Sequence, residues 1–347
     1  MKQSGFILHL SGVEQPLSVE KDESLLTAIE RAGYRMQKSC RNGVCEVCEL
    51  VLLDGRVQQR YPVKTLSNNK NSAERVRVLA CTATPLTDIR VNIEGLKAFG
   101  EQSVKKLCCE ITGVEQLNDD VCRVRLRLPA TASLAVEFKA GQYLDVILPD
   151  GKQASFSIGS APEQGRDLEL HIRYTPDSEM SNAIMSHLQN SPSVNIELPK
   201  GDCCLSAASL SPETRLIFAA ASTGFAQVKS QVEHLLANQV ANPVYIYWGA
   251  RVEADLYLIS LAQQWQAEHA NVHFVPVVSE PENSVQWQGR TGLLPAVVLE
   301  DFADFEQTEI FASGSPGMVY ALLDAVESRG FQEDKMHSDV FAYAPRP

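Results

Sequence analysis

The sequence lacks any apolar run close to the roughly 20 residues that a membrane-spanning helix needs. Its first ten residues lack the apolar core of a secretion signal and have the pattern of a strand, so we expect a cytoplasmic location. Excess positive charge is also absent, because the formal net charge is −12, and this argues against general nucleic-acid binding. No Ser-His-Asp order, paired carboxylates, repeat or coiled-coil pattern stands out. These absences disfavour a hydrolase, a membrane-spanning protein and a nucleic-acid-binding protein.

Length and charge distribution instead indicate several domains. With 347 residues, and about 150 residues per domain, the chain is long enough for two or three of them. Residues 1–100 contain 14 basic and 11 acidic residues, whereas the remainder contains 17 and 32. Hydrophobic residues make up 44% of the chain, which is typical of a globular protein. We therefore expect a mildly basic N-terminal module joined to an acidic body.

Four of the nine cysteines have the spacing of a metal site. Cys40, Cys45 and Cys48 form C-x4-C-x2-C, and Cys81 follows 33 positions later, which is the spacing of a plant-type 2Fe–2S cluster. Cytosolic disulfides are uncommon, and a zinc site usually has two C-x2-C pairs where this chain has one. The βαβ context of a thioredoxin-like redox pair is absent, and buried structural cysteines are the remaining alternative. We predict that these four thiolates bind a 2Fe–2S cluster, and we interpret four others as small hydrophobic residues: Cys108, Cys109, Cys203 and Cys204.

Three basic residues lie beside the cysteine loop. Arg35, Lys38 and Arg41 are candidate docking charges for an acidic partner or for the acidic body of this chain, with salt-sensitive rates. Ordinary solvation of these side chains is the alternative interpretation.

The surroundings of the cysteine motif have the element pattern of a small α+β domain. The predicted elements are two strands around a turn, a helix closed by Gly33, two strands around Asp54-Gly55, and a final strand: 6–10, 15–19, 22–33, 49–53, 56–60 and 89–93. With the cysteine spacing, this order resembles the β-grasp fold of plant-type ferredoxins over about residues 3–95. Glu46 departs from that family, which usually has glycine or another small residue there, and an acid beside the cluster is expected to make reduction harder.

Beyond residue 100 the pattern changes to six short strands separated by turns, which indicates a closed antiparallel barrel. The predicted strands are 108–114, 121–128, 143–148, 155–160, 168–174 and 194–198. Asp150-Gly151 predicts a hairpin turn. A helix pattern follows residues 178–182, so we expect Ser181 near a helix N-terminus, where a pyrophosphate can bind. A barrel without a ligand is the alternative.

Three segments of this barrel resemble the flavin domain of the ferredoxin–NADP+ reductase superfamily: Gly141-Gln142-Tyr143, Ala154-Ser155-Phe156-Ser157-Ile158-Gly159-Ser160 and Leu170-His171-Ile172-Arg173. The resemblance implies that Phe156 stacks near the isoalloxazine and that Ser157 faces its reactive N5 as a catalytic residue. It also implies that the strand at 171–173 lines the ribityl and phosphate side. The implied cofactor is FAD, with these binding residues: Tyr143, Phe156, Ser157, Ile158, His171, Ile172, Arg173 and Ser181.

Ala154 departs from that family, whose arginine at this position neutralises a flavin phosphate. Loss of such a charge-assisted contact is worth about 1.5–3 kcal/mol. Arg173, Lys152 and Lys200 are the candidate cations that remain to replace it.

From about residue 213, buried strands alternate with helices, which indicates a parallel sheet with helices on both faces. The predicted strands are 216–220, 244–248, 272–278 and 310–313, and the predicted helices are 227–237, 254–269 and 317–330. Ligands of such sheets bind at the carboxyl ends of the strands. These ends fall at residues 221–225, 249–251 and 313–318.

The strand ends resemble the nicotinamide domain of the same superfamily, above all that of NAD(P)H–flavin reductase, and the likeness extends to 245–251, 274–279, 287–292 and 338–342. The resemblance implies an NAD(P)H site formed by these residues: Thr223, Gly224, Phe225, Gly249, Arg251, Ser313, Gly314 and Pro316. It also implies that Phe341 is a catalytic residue, which shields the flavin before the nicotinamide enters. Ala221 and Ser222 replace the Gly-Gly of the family, so a nucleotide meets two extra Cβ atoms. The choice between NADH and NADPH stays open.

The three modules in this order resemble the reductases of oxygenase systems and the CDP-6-deoxyglucoseen reductases of sugar biosynthesis. We predict a multidomain α+β and α/β chain with a β-grasp ferredoxin domain (1–98), an antiparallel β-barrel flavin domain (103–207) and a parallel-sheet nicotinamide domain (213–347). The resemblance implies electron transfer from NAD(P)H through flavin and a 2Fe–2S cluster to an acceptor protein, such as an oxygenase or a dehydratase. The alternatives are reduction of free flavin or a quinone, and a non-enzymatic electron carrier whose nucleotide sites have decayed.

Overall fold

The computed structural model describes most of the chain and divides it into two compact units. The described residues are 5–13, 15–32, 34–36, 43–44, 46, 48–70, 72, 75–93, 97–98, 104–130, 138–205, 210–284, 287–344 and 346. One unit contains the described residues of 1–101 together with those of 341–346, and the other contains those of 102–340. Each unit has its own sheets and its own buried core.

The first unit is a mixed sheet covered by one helix. Its elements are β1 (Phe6–Leu10), β2 (Leu17–Val19), α1 (Leu25–Arg31), β3 (Tyr34–Arg35), β4 (Glu49–Arg60), β5 (Val63–Asn68), β6 (Val76–Leu79), β7 (Ala83–Pro85), β8 (Ile89–Asn92) and β9 (Lys97–Ala98). The main sheet has the order β2-β1-β8-β4-β5, with β1 and β8 parallel, while β3 pairs with β9. Ser24 caps α1 by accepting the Thr27 N–H, and the apolar face of the helix enters the core. The predicted first hairpin, helix and closing strand are confirmed; Gly33, predicted to close the helix, lies outside the described residues.

The predicted hairpin at Asp54-Gly55 is wrong, because residues 49–60 form the single strand β4. Gly55 has a φ of +99°, and a Cβ there would collide with the backbone oxygen of Asp88. The register shifts between Leu52 and Asp54, which marks a bulge. β4 pairs with β6 before the bulge and with β5 and β7 after it, while its pairing with β8 spans the bulge. The glycine therefore lets one strand change partners, and the chain reverses only after Arg60.

The second unit begins with an antiparallel barrel. Its elements are β10 (Lys105–Gln116), β11 (Val121–Arg127), β12 (Tyr143–Ile147), β13 (Gln153–Ser157), β14 (Asp167–Arg173), α2 (Glu179–Asn190) and β15 (Ser193–Lys200). The strand order is β13-β12-β15-β10-β11-β14, and a bridge between Ile158 and Leu170 joins the two outer strands, so the barrel is nearly closed. The six predicted strands and the turn at Asp150-Gly151 are confirmed. The apolar face of α2 packs into the barrel core.

A parallel sheet with flanking helices completes the second unit. Its elements are β16 (Arg215–Ala221), α3 (Phe225–Ala237), β17 (Val244–Ala250), α4 (Ile259–Glu268), β18 (Val272–Val278), β19 (Arg290–Thr291), α5 (Leu294–Asp301), β20 (Thr308–Ser313), α6 (Pro316–Glu327), β21 (Met336–His337) and α7 (Val340–Tyr343). The order β19-β18-β17-β16-β20-β21 is parallel throughout, as predicted. None of the helices in the described part of the chain is both long and apolar enough to cross a membrane.

Two helices of this sheet differ from the sequence prediction. The helix predicted at 254–269 begins only at Ile259, and a short 3-10 turn precedes it at Glu253–Asp255. The intervening Leu256 is buried and Tyr257 bonds to His171 of the barrel, so tertiary packing replaces the first helical turns. Helix α5 was not predicted, because its apolar residues follow a short, glycine-marked segment rather than a long periodic one.

Helix α3 joins the parallel sheet to the barrel through buried polar side chains. Four side chains of the helix donate to barrel backbone oxygens: Gln227 Nε2 to Gly141 at 2.6 Å, Lys229 Nζ to Gly159 at 3.1 Å, Ser230 Oγ to Ser160 at 2.7 Å and Gln231 Nε2 to Cys203 at 3.0 Å. All four side chains belong to buried residues. Because a buried donor without an acceptor is costly, these four donors fix where the barrel segments lie against the helix.

Candidate redox site

The structure brings the third and fourth predicted metal ligands together. Cys48 is buried immediately before β4, and Cys81 follows β6. The N–H of Ala80 donates to the backbone oxygen of Cys48 at 3.0 Å, and Glu49 pairs with Leu79, so both cysteines lie at the same end of this strand pair. Cys40 and Cys45 lie outside the described residues. The two described cysteines have the adjacency that a shared cluster requires.

Two left-handed residues shape the described part of the cysteine loop. Gly43 has a φ of +87°, and a Cβ there would lie 2.9 Å from the backbone oxygen of Tyr61. Glu46 has a φ of +60°, a conformation that side chains with a Cβ rarely adopt. Glycine, one of the small residues that the resemblance leads us to expect at this position, adopts this conformation freely. A loop with two such turns fits a chain that wraps closely around a cluster. Lys38 and Arg41, two of the candidate docking charges, lie outside the described residues.

Three predicted flavin residues meet at the end of the hairpin β12–β13. Tyr143 pairs directly with Ser157, and the N–H of Ile158 donates to the backbone oxygen of Gln142 at 3.0 Å. Phe156 is half-buried and packs against the barrel core. Ile158 is fully buried in that core, so any contact with a flavin comes from its backbone.

The three predicted residues of β14 differ in where their side chains lie. Ile172 is buried in the barrel core, so only its backbone is available to a ligand. His171 is also buried, with its side chain bonded to Glu169 and Tyr257. Arg173 lies 3.2 Å from Asp120 and 3.6 Å from Asp255. Its Nε and one Nη are buried and have no hydrogen-bond acceptor among the described residues. The guanidinium therefore already lies between two carboxylates as an ion-pair partner.

The N-terminal turn of α2 lies where a phosphate is expected. The hydroxyl of Ser178 accepts the N–H of Ser181 at 3.2 Å, and the hydroxyl of Ser181 accepts the N–H of Thr175 at 2.9 Å. Ser181 is therefore the third residue of the helix and braces the loop that enters it. Lys152 Nζ lies 3.2 Å from the carboxylate of Glu179, the first residue of the helix. The turn thus combines a helix dipole with one nearby cation.

The carboxyl ends of β16 and β20 are in close contact, as the nucleotide-site prediction requires. A Cβ on Gly224 would collide with the backbone of Ser313, and a Cβ on Gly314 would lie 2.9 Å from the Cβ of Ala221. Pro316 follows as the first residue of α6, which Ser315 caps. These glycines allow two loops to approach so closely that no larger residue fits between them.

Ser222 retains the backbone that its family builds with glycine. Its φ is +55°, and its backbone oxygen accepts the indole N–H of Trp248 at 3.0 Å. Thr223 follows within the same 3-10 turn. Phe225 is fully buried and stacks on Trp248, with ring centroids 3.7 Å apart, so its side chain belongs to the core. Only its backbone is available to a nucleotide.

The end of β17 contributes Gly249 and Arg251. A Cβ on Gly249 would lie 2.8 Å from Leu294, so this glycine admits α5 against the strand. Arg251 is exposed, and its backbone oxygen accepts the N–H of Glu280 at 2.8 Å. This bond connects the ends of β17 and β18 at the expected nucleotide site.

A buried charge network beneath the barrel was missed by sequence reasoning. Lys229 Nζ lies 3.3 Å from Glu169 and 3.0 Å from Glu233, and His171 Nε2 donates to Glu169 at 2.8 Å. The hydroxyl of Tyr257 donates to the other ring nitrogen of His171 at 3.0 Å. The signal was the position of Lys229, four residues after Phe225 on the apolar face of a predicted helix.

The pKa values in this network follow from burial and neighbouring charge. Burial alone would raise the pKa of Glu169, but the bond from His171 and the positive charges of Lys229 and Arg123 lower it to about 2. Burial lowers the pKa of His171 and outweighs the opposing effect of Glu169. We therefore describe His171 as a neutral imidazole that donates to Glu169 and accepts from Tyr257. A group held this way serves position rather than proton transfer.

Near the C-terminus, the half-buried Asp339 lies against the barrel. It accepts from Gln227 Nε2 at 2.7 Å, and a Cβ on Gly201 would lie 2.9 Å from its Oδ1. Burial raises the pKa of Asp339 to about 6, despite that hydrogen bond. The next turn, α7, contains Phe341, which falls in the first compact unit. The shielding role of Phe341 stays a prediction.

Two of the four cysteines interpreted as small hydrophobic residues fit that interpretation, while Cys204 is half-buried. Cys109 and Cys203 are buried, and burial raises the pKa of Cys109 to about 12. Cys108 is exposed and differs from that interpretation, because it occupies the outward side of β10.

In the second unit, one helix joins a nearly closed antiparallel barrel to a parallel sheet whose strand ends can receive a ligand. This architecture is that of flavin-dependent oxidoreductases that use a nicotinamide nucleotide. Three family models match in the same order as the folds. They are a 2Fe-2S iron-sulfur cluster binding domain at residues 8–86, an oxidoreductase FAD-binding domain at 108–204 and an oxidoreductase NAD-binding domain at 218–323.

Full-length relatives extend this agreement. Protein RfbI of Salmonella typhimurium strain LT2 is 33% identical over 324 residues, with 93% of each chain covered. The CDP-6-deoxy-L-threo-D-glycero-4-hexulose-3-dehydrase reductase of Yersinia pestis is 31% identical, covering 96% of this chain and 97% of its own. Among solved structures, the Amycolatopsis cytochrome P450 reductase GcoB superposes with a TM-score of 0.73 at 25% identity, covering 96% of this chain and 97% of the other. The chain belongs to the family of reductases in which a 2Fe–2S ferredoxin domain precedes FAD- and NAD-binding domains, so the predicted resemblance and cofactor set are confirmed.

Proposed function

We propose that this reductase passes electrons from NAD(P)H, through the flavin site of the barrel and the four-cysteine site, to a separate acceptor protein. When bound, the flavin supplies the conversion between two-electron hydride chemistry and the one-electron chemistry of the cluster. The main support for this proposal is that three features occur in one chain. They are the strand pair that brings Cys48 and Cys81 together, the barrel, and the nucleotide-binding strand ends. A reductase for small molecules alone does not need the first of these.

The roles of individual residues follow from their positions. We propose that Cys40, Cys45, Cys48 and Cys81 hold the cluster. We propose that the end of β13 carries Phe156 and Ser157 against the isoalloxazine, since Ser157 pairs with Tyr143 at the open edge of the hairpin. The close approach of Gly224 and Gly314 leaves the ends of β16 and β20 for the nucleotide.

We propose three domains for this task, at 1–98, 103–207 and 213–347. The separate sheets and cores support these limits, although residues 341–346 group with the first unit rather than with the parallel sheet.

For the acceptor, we propose a redox enzyme of the dehydrase or oxygenase type. The support is that one full-length relative is named as a dehydrase reductase and one structural relative as a P450 reductase. Both names describe donors to another protein, and the chain matches each over nearly its whole length.

A cysteine substitution tests this function. Cys48→Ser removes one cluster ligand, so we expect NADH-dependent reduction of cytochrome c to fall at least tenfold while reduction of ferricyanide by the flavin site is retained. Cys108→Ser is the matched control, because Cys108 is exposed and lies outside the predicted ligand set. If Cys48→Ser reduces cytochrome c as fast as the control, the cluster is not on the electron path.

A second candidate function is reduction of free flavin, which the absence of an arginine at Ala154 favours. A weakly held flavin behaves as a substrate that leaves after reduction. Gel filtration of the reconstituted protein separates the two: a flavin that co-elutes with the chain is a cofactor, and a flavin that is lost while NADH oxidation needs added riboflavin is a substrate.

A further inference from the structure

The turn between β4 and β5 exposes apolar side chains beside the cysteine site. Tyr61 and Val63, on either side of Pro62, are 55% and 81% exposed, and Val44 of the cysteine loop is 65% exposed. A single exposed apolar residue is ordinary, but several neighbouring ones indicate a surface that another protein covers. The flavin and nucleotide sites of the second unit give these side chains no role.

Tyr61 connects this turn to both parts of the cysteine site. A Cβ on Gly43, in the loop of the first three cysteines, would lie 3.2 Å from Cδ1 of the Tyr61 ring. On the other side, the hydroxyl of Thr82, which follows Cys81, donates to the backbone oxygen of Tyr61 at 3.2 Å. The N–H of Arg60 donates in turn to the backbone oxygen of Thr82 at 2.9 Å. A protein that contacts Tyr61 therefore lies against the segments that contain the predicted cluster ligands.

The charge around this turn is positive. Residues 55–70 contain no Asp or Glu and four cations, which are Arg56, Arg60, Lys64 and Lys70. Arg60 and Lys64 are exposed beside Tyr61, and neither forms an ion pair within the described part of the chain. The exposed Glu46 of the cysteine loop opposes them with a single negative charge. An apolar centre with unpaired cations at its rim is complementary to a partner surface that carries carboxylates.

We propose that the tip surface, formed by Val44, Arg60, Tyr61, Val63 and Lys64, docks an acceptor protein with an acidic contact surface. This inference rests on the proposed function and adds the charge of the partner. Tyr61 and Val63 form the apolar contact, and Arg60 and Lys64 attract the partner, since rim charges act mainly on the rate of association.

Opposite charges introduced at Val63 test the tip surface in the full-length holoenzyme. Because Val63 is 81% exposed, a charged side chain there leaves the fold intact. The probe is plastocyanin, a small copper protein with an acidic surface patch, reduced with NADH as the donor at low ionic strength. Val63→Lys is expected to raise kcat/KM for plastocyanin about threefold and Val63→Glu to lower it about fivefold, and both differences should fade at about 0.5 M salt.

Matched variants separate docking from a change in total charge. Arg60→Gln with Lys64→Gln is expected to lower kcat/KM for plastocyanin at least fivefold. Arg56→Gln with Arg90→Gln removes the same two charges from exposed residues next to the bulge of β4, and is expected to change it less than twofold. Ferricyanide reduction by the flavin site should be the same in all of these variants.

Two further measurements locate the effect. In the Cys48→Ser background, Val63→Lys and Val63→Glu should reduce plastocyanin at equal rates, because the four-cysteine site is then off the path. Carbodiimide cross-linking of the oxidised proteins is independent of turnover, and it is expected to join Lys64 to a carboxylate of plastocyanin.

The outcomes distinguish this inference from the proposed function. If Val63→Lys and Val63→Glu reduce plastocyanin equally, or if the cross-links avoid Lys64, the tip surface does not dock an acidic acceptor, while cluster-dependent reduction of cytochrome c still supports the proposed function. If both variants change ferricyanide reduction as much as plastocyanin reduction, the effect precedes the acceptor and the inference is overturned. If the wild type reduces neither plastocyanin nor cytochrome c, both are overturned.

Discussion

Ser222 offers the sharpest test of how the nucleotide-binding end of the sheet is built. A residue with a Cβ in the left-handed region is less stable there by about 1–2 kcal/mol, whereas glycine adopts that region freely. Ser222 has a φ of +55° and is held by the bond from Trp248 to its backbone oxygen, so it cannot relax without losing that bond. Glycine also lowers the free energy of unfolding by about 0.5–1 kcal/mol, because it gives the unfolded chain more conformational freedom. Ser222→Gly is therefore expected to stabilise the fold by about 0.5–1 kcal/mol.

The chain contains a convenient probe for this measurement. Its three tryptophans are Trp248, Trp265 and Trp287, which all lie in the parallel-sheet part. Their fluorescence during urea or thermal unfolding reports this part selectively. In thermal unfolding, the midpoint temperature is expected to rise by about 2–4 °C per kcal/mol of added stability. We also expect a lower KM for NADH, because removal of the Cβ opens space at the strand end.

Two matched variants decide whether the reasoning holds. Gln239→Gly relieves another left-handed residue, with a φ of +53°, away from the strand ends, and is expected to stabilise without changing the KM for NADH. Ser222→Ala keeps the Cβ and is expected to unfold like the wild type. The account is refuted if Ser222→Gly is less stable than Ser222→Ala.

Two more predictions concern charge. Asp339→Asn removes the carboxyl group whose pKa in the folded protein is raised to about 6. In the unfolded chain this carboxyl releases its proton at a lower pH, so wild-type stability falls as pH rises from about 4 to 6. Urea unfolding should show the variant gaining about 1 kcal/mol relative to the wild type between pH 5 and pH 8, and a constant difference would contradict this. Glu46→Gly removes a negative charge next to the predicted ligand Cys45. For an assumed separation on the order of 8 Å in water-like surroundings, a unit charge shifts a potential by about 20–40 mV. EPR-monitored titration should therefore give a higher cluster potential. Glu46→Gln also removes the charge but keeps the Cβ, so it should raise the cluster potential as much as Glu46→Gly does. If both variants keep the wild-type potential, the electrostatic effect is excluded.

The sequence was sufficient for elements whose signal is local. Strand β18 has the predicted limits, and the barrel strands lie within a few residues of theirs, because buried strands between turns have a strong pattern. The glycine at 55 was misassigned because a turn and a bulge use the same residue, and only the approach of Asp88 distinguishes them. The start of α4 was misassigned because Tyr257 is drawn to His171, a residue 86 positions away.

The candidate site shows the same division. The spacing of the cysteines and the departures from the family pattern at 46 and 222 were visible in the sequence, and both residues have the left-handed backbone that glycine adopts most readily. The network of Glu169, His171 and Lys229 was not visible, because its members come from a barrel strand and a helix that meet only in the folded chain.

The four buried donors of α3 have a consequence for engineering. Each of its four donors reaches a backbone oxygen of the barrel, and such oxygens keep their positions only if the barrel loops keep their shape. A chimaera that replaces the parallel sheet alone would leave these donors facing foreign loops. A chimaera that keeps residues 102–340 together retains all four contacts, so we expect it to express as soluble protein more often than one that replaces the parallel sheet alone.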